Sequence, residues 1–174
     1  MTKTLFPLLF LCAALTARAA RPDTTTVPSV DLSRFMGRWY VISHIPNFTE
    51  NGKVGTSDNY ALRQDGAIAI TFAYKHESLT AKEKQWKGHG WVMNTATNAD
   101  WKVRIHLPVA TNYRVVELDP GYGWVAVSTT SGKLFWIMSR TPALDEATYQ
   151  QVVEHLAQKG FATEKLAKVP QAAP

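Results

Sequence analysis

The chain has 174 residues, with 19 lysines and arginines against 14 aspartates and glutamates, five histidines and one cysteine. That length suits one domain with a substantial core. The basic residues are scattered among acids and apolar residues, which gives nucleic-acid binding little support, and a lone cysteine excludes a disulfide framework and a thiolate metal site.

The chain opens on "MTK", an apolar run "LFPLLFLCAAL" (5–15) and a small-x-small "ARA" (17–19). The run is too short to span a bilayer and reads as a secretory signal peptide over residues 1–19, cut after Ala19. Cys12 lies inside it, preceded by "LFL" rather than the small residues a lipidation signal needs. The mature chain is then free of thiols, and removal of Lys3 and Arg18 leaves 17 basic and 14 acidic residues. No later stretch approaches 18 consecutive apolar residues, so no membrane-spanning helix is expected.

Residues 20–30 carry two prolines and no periodicity, and read as a flexible leader. From there to about 142, short apolar segments alternate with turn signals. The expected strands are roughly 38–46, 55–63, 67–75, 84–93, 100–108, 112–118, 123–129 and 133–139, separated by stretches such as "NFTENGK", "QDG" and "SGK". Eight short strands with no helix between them predict an all-β, antiparallel up-and-down meander that closes into a barrel or sandwich.

One helix follows over 145–160, with Asp145 as cap, Glu146 in the first turn and Gly160 as stop. Its stripe is Tyr149, Val152, Val153 and Leu156. "WYVI" (39–42) and "LFWIM" (134–138) are apolar at every position, the pattern of strands buried on both faces. If the first and last strands adjoin, the helix packs on the outside of the barrel over them. Residues 166–174 read as a loose tail.

"WKVRIHL" (101–107) alternates, placing Trp101, Val103, Ile105 and Leu107 inward, with Tyr113 joining from the next strand. A closed eight-stranded barrel can be filled by its side chains or can hold one small ligand. Periodicity alone fits a solid core at least as well as a cavity, and a cavity so lined suits an oily ligand. On "AIAITFAYK" (67–75) either the large set Ile68, Ile70, Phe72 and Tyr74 or the small set Ala69, Thr71 and Ala73 could face in.

The segment "DLSRFMGRWYVISHIPNF" (31–48) resembles the first motif of the lipocalins, with Gly37-x-Trp39 at its centre. "LFWIMSRTP" (134–142) is similar to the last-strand motif, ending in Arg140. "LDPGYGWVAV" (118–127) resembles the divergent middle motif of the bacterial outer-membrane and apolipoprotein-D-like branch. The likeness covers about residues 31–165. It implies that Trp39 plugs the closed end of the barrel, Arg140 lies across its ring, and Gly37 lets the backbone turn in.

Strand parity from those anchors adds Val41 and Ser43 on the first strand, and Met138, Trp136 and Leu134 on the last, to the inward set. The resemblance implies binding, storage or transport of a small hydrophobic or amphiphilic ligand such as a fatty acid or lysophospholipid, with no cofactor. It implies a periplasmic or secreted protein, with a role in envelope maintenance and peripheral outer-membrane association. The alternative is a filled barrel that serves as a structural or interaction module.

No catalytic residue is expected: the serines Ser43, Ser57 and Ser128 lack a nucleophile-elbow context, the inward sets contain no carboxylate, and His44, His76, His89, His106 and His155 show no ligand spacing for a metal. Lys82, Lys84 and Lys87 are candidates to meet an anionic headgroup at the open end. "NFT" (47–49) matches a glycosylation acceptor.

Overall fold

A computed structural model describes residues 21–172 apart from 106 and 107. The predicted signal peptide and the inward candidate Leu107 lie outside the described residues. Eight antiparallel strands follow the expected order: β1 (Gly37–His44), β2 (Lys53–Leu62), β3 (Ile68–His76), β4 (Lys84–Val92), β5 (Asp100–Arg104), β6 (Thr111–Leu118), β7 (Trp124–Ser128) and β8 (Phe135–Ser139). Each pairs with its sequence neighbour, and β1 pairs with both β2 and β8, which closes the barrel. A helical turn, α1 (Leu32–Phe35), precedes β1, and Asp31 caps it by accepting from the Ser33 and Arg34 amides.

The C-terminal helix α2 (Glu146–Gln158) starts where the capping signal placed it, with Asp145 Oδ1 accepting from the Thr148 amide at 2.9 Å. Gly160 ends it at φ +82°, a conformation that glycine adopts without a Cβ penalty. Tyr149, Val152 and Leu156 are buried against Ile42 of β1, Val116 of β6, Ala126 of β7, and Phe135 and Ile137 of β8. The doubly apolar runs on β1 and β8 are thus explained: one face lines the barrel and the other meets the helix.

Both chain ends differ from expectation. The leader is extended but held, with the Val27 amide donating to the Val115 carbonyl at 2.9 Å, the Val30 amide to Thr97 at 2.7 Å, and Val30 buried. The tail forms β9 (Ala167–Lys168), which pairs with Ser43 and His44 of β1. β1 and β2 pair only over residues 37–40 and 57–60, and the tail spans the gap where they diverge. The Gly55 amide donates to Pro170, and Gln171 Nε2 donates to the carbonyls of Val41 at 2.8 Å and Thr56 at 3.0 Å. These are backbone groups left without a strand partner, and buried backbone groups need one.

Candidate ligand-binding site

The floor of the barrel is aromatic. Trp39 is fully buried, its Nε1 donates to the Phe35 carbonyl at 2.8 Å, and the Arg140 guanidinium lies 3.7 Å from its ring centroid. Arg140 also donates to the carbonyls of Arg34, Arg38 and Phe35, so one planar cation covers the indole and ties down the turn of α1. Gly37 sits at φ +95°, and a Cβ there would stand 3.3 Å from Arg140 Nη1. The closure trio therefore sits together.

Above this floor a cavity of about 190 Å³ opens towards the β1–β2 loop. Val41, Val103, Ile105, Tyr113, Trp136 and Met138 line it, as does Leu134. Two other sequence candidates do not. Trp101 is part of the floor, packed against Phe35 and stacked on Tyr113 at 5.2 Å each, with its Nε1 donating to Asn98. Ser43 is turned away by a bulge: Val41 pairs with Met138, but Ser43 pairs with Ile137, which faces the helix. The same bulge brings His44 opposite Trp136, on the inner side.

On β3 the large residues face in. Ile70 and Phe72 line the cavity, and Phe72, Tyr74 and Trp86 form an aromatic wall with centroids 4.9–5.7 Å apart. At the rim, Lys53 Nζ lies 4.8 Å and 4.6 Å from the Tyr74 and Trp86 centroids and donates to the Thr49 carbonyl at 2.6 Å. Burial lowers its pKa, and Glu50 works the other way. Lys84 pairs with Tyr74 at the same rim, whereas Lys87 pairs with Thr71 on the outer face.

The expectation of a lining without carboxylates is overturned. Asp58 and Glu50 both line the cavity. Asp58 pairs with Trp39 on one side and Phe72 on the other, two inward positions. Burial first, and then the Glu50 charge, push its carboxyl up to about 7, against hydrogen bonding by Tyr60. Glu50 comes from the β1–β2 loop; its Oε1 accepts from Trp136 Nε1 at 2.9 Å. Below them the Tyr60 hydroxyl donates to that of Tyr113 at 3.0 Å.

Asp58 was legible in principle: Thr56, Asp58 and Tyr60 share one strand face, and a tyrosine on that face marks it as inward. Glu50 carried no periodic signal, since it sits in a loop.

A barrel of eight meandering strands, plugged by a tryptophan under an arginine and flanked by one helix, decides the family together with the family model of the lipocalin-like domain, which matches residues 30–171. The chain is a lipocalin. It is 29% identical over 168 residues to temperature-induced lipocalin-1 of Arabidopsis thaliana, covering 87% of this chain and 84% of the relative. It is 27% identical over 169 residues to the outer membrane lipoprotein Blc of Vibrio cholerae, covering 94% and 96%.

The cockroach allergen Per a 4 superposes with a TM-score of 0.67 at 21% identity, covering 89% of this chain and 97% of that one, a likeness of fold. Lipocalins bind small hydrophobic ligands, and are typically carriers rather than enzymes. Among the described residues, no helix of this lipocalin is long and apolar enough to cross a membrane.

Proposed function

We propose that this lipocalin binds, stores or carries a single-chain amphiphile, a fatty acid or a lysophospholipid, in the barrel cavity. The observation that carries the reading is a cavity that is mostly apolar, enclosed by strands on all sides and open at one end. Its volume, about 190 Å³, is below the roughly 300–1,000 Å³ of pockets for bulkier ligands, which favours a slender chain. Each methylene taken from water contributes about 0.8 kcal/mol.

Asp58 and Glu50 oppose a carboxylate or phosphate deep in the barrel, so an anionic head stays at the rim, near Lys53 and Lys84. The predicted signal peptide and the likeness to an outer membrane lipoprotein support export to the periplasm or beyond, with a role in envelope maintenance. Nothing in the reading requires a cofactor or catalysis.

Native mass spectrometry of the mature protein, followed by organic extraction, tests this. Acyl chains are expected to co-purify at near one per protein, and a fluorescent fatty acid to be displaced by unlabelled competitor in the wild type. Val103→Trp, which fills the cavity from its wall, should abolish both. An apo mass together with no uptake of the fluorescent probe would make the barrel a structural or interaction module.

A further inference from the structure

Asp58 Oδ1 and Glu50 Oε2 are shielded from solvent and have no hydrogen-bond partner among the described residues. No lysine or arginine is among the cavity's described lining residues. The neighbouring polar groups leave these two oxygens unmet. Lys53 is held by the Thr49 carbonyl and by two aromatic faces. His44 Nδ1 hydrogen-bonds the Ile45 carbonyl at 2.9 Å and lies 3.8 Å from Glu50 Oε2. Trp136 and Asn47 donate to the other Glu50 oxygen, and Tyr60, which donates to Tyr113, also hydrogen-bonds the Asp58 carboxyl.

A buried carboxylate that faces no lysine or arginine and leaves one oxygen without a donor is costly, up to several kcal/mol. Hydrophobic residues of similar size would avoid that cost, yet this barrel places two acids in a cavity that Phe72, Trp86 and Trp136 also line. The chemical complement of carboxylate acceptors among aromatic faces is an organic ammonium. Its N–H groups donate to the acids in charge-assisted hydrogen bonds, its charge is attracted to the rings, and its chain occupies the apolar remainder.

The geometry points to a further ligand class for this cavity: a slender primary amine, bound head-inward with its ammonium between Asp58 and Glu50. This rests on the cavity being a ligand site, as proposed above, and reverses the orientation expected of a carboxylate-headed amphiphile.

A dependence on pH follows. Asp58 faces Glu50 from the β1–β2 loop, Tyr60 on its own strand and Tyr113 on β6; β1 and β3 present Trp39 and Phe72 beside it, which do not titrate, and His44 reaches only Glu50. With its carboxyl near 7, the ionised fraction of Asp58 rises about ten-fold between pH 6 and pH 8, while an alkylamine stays protonated throughout.

The test is calorimetric titration of the mature, delipidated protein with decylamine, decanol and decanoate, three heads on one chain length. At pH 8 decylamine is expected to bind at least ten-fold more tightly than decanol, and its affinity to fall about ten-fold at pH 6 while that of decanol stays level. In the Asp58→Asn/Glu50→Gln double variant the ratio of amine to alcohol affinity should fall to about one. An amine no tighter than the alcohol in the wild type, or one that keeps its advantage in the double variant, overturns the proposal and leaves the lipid reading standing. If none of the three binds, the cavity is not a ligand site and both readings fall.

Discussion

At the closed end, Trp39 Nε1 and Trp101 Nε1 each donate to a backbone carbonyl, at 2.8 and 2.7 Å, and Arg140 fixes three more carbonyls. Higher in the same barrel, Asp58 and Glu50 line the cavity, and their covered oxygens Oδ1 and Oε2 have no donor among the described residues. Both regions are built on the same strands and rich in aromatics, although the floor is fully buried and the upper cavity only partly so. The difference is whether each buried polar group has been given a partner. Satisfied networks rigidify and specify a fold; unsatisfied ones cost stability and persist where a ligand is to be met.

The comparison is broken most directly at the floor. Trp39→Ala removes a fully buried indole and leaves Arg140 without the ring it covers, which should cost about 3–5 kcal/mol. Urea unfolding should show a lower midpoint at unchanged slope. A loss under about 1 kcal/mol would mean that the floor does not hold the barrel together.

The interior should respond in the opposite sense. The Asp58 carboxyl is raised from 3.8 to about 7, so the folded state holds this proton more tightly than the unfolded state. Below about pH 3.8 both states are protonated and the site has no effect. As pH rises towards 7 the unfolded chain releases the proton first, and stability falls; above 7 the full penalty applies. Its upper bound is about 4 kcal/mol. Asp58→Asn should therefore raise the unfolding temperature at pH 8 and leave it almost unchanged at pH 4. A destabilised variant at pH 8 would show that the hydrogen bond from Tyr60 outweighs the cost of burying the charge.

That asymmetry also explains what the sequence discloses. The floor is legible because its residues announce themselves: Gly37, Trp39 and Arg140 are costly choices at fixed spacing, and the apolar stripe of α2 and the doubly apolar β1 and β8 fix where the helix lies. The cavity is less legible because its polar members look like surface. "TSDNYA" on β2 reads as a solvated strand until Tyr60 reveals which face is inside, and Glu50 reaches the interior from a loop without periodicity. Ser43 is misplaced by parity because a bulge adds one residue between Val41 and its successor. The leader and tail read as loose because their order comes from long-range backbone hydrogen bonds, which leave no local pattern.

Gly37→Ala sharpens the floor's role at smaller scale. At φ +95° an alanine is strained, and its Cβ would press to within 3.3 Å of Arg140 Nη1. A cost of about 1–3 kcal/mol is expected. Because the disturbance reaches Arg140 and not the cavity wall, probe affinity should change less than two-fold while the unfolding midpoint drops. Equal losses in both would mean that the two regions are coupled rather than separate.

The smallest effect on stability should come from Glu50→Gln, and it is the most informative about the interior. The amide oxygen can still accept from Trp136 Nε1, so the loop keeps its anchor, and the change in stability at pH 4 should lie within about 0.5 kcal/mol. What disappears is the charge that, after burial, raises the Asp58 carboxyl. Carbon-detected NMR titration should therefore find Asp58 ionising at lower pH in the variant, with burial alone keeping it above 3.8. The stability lost between acid and neutral pH shrinks with it, so Glu50→Gln gains slightly on the wild type at pH 8. An Asp58 titration that does not move would mean that the two carboxylates do not sense each other, and a single ammonium would then have no reason to sit between them.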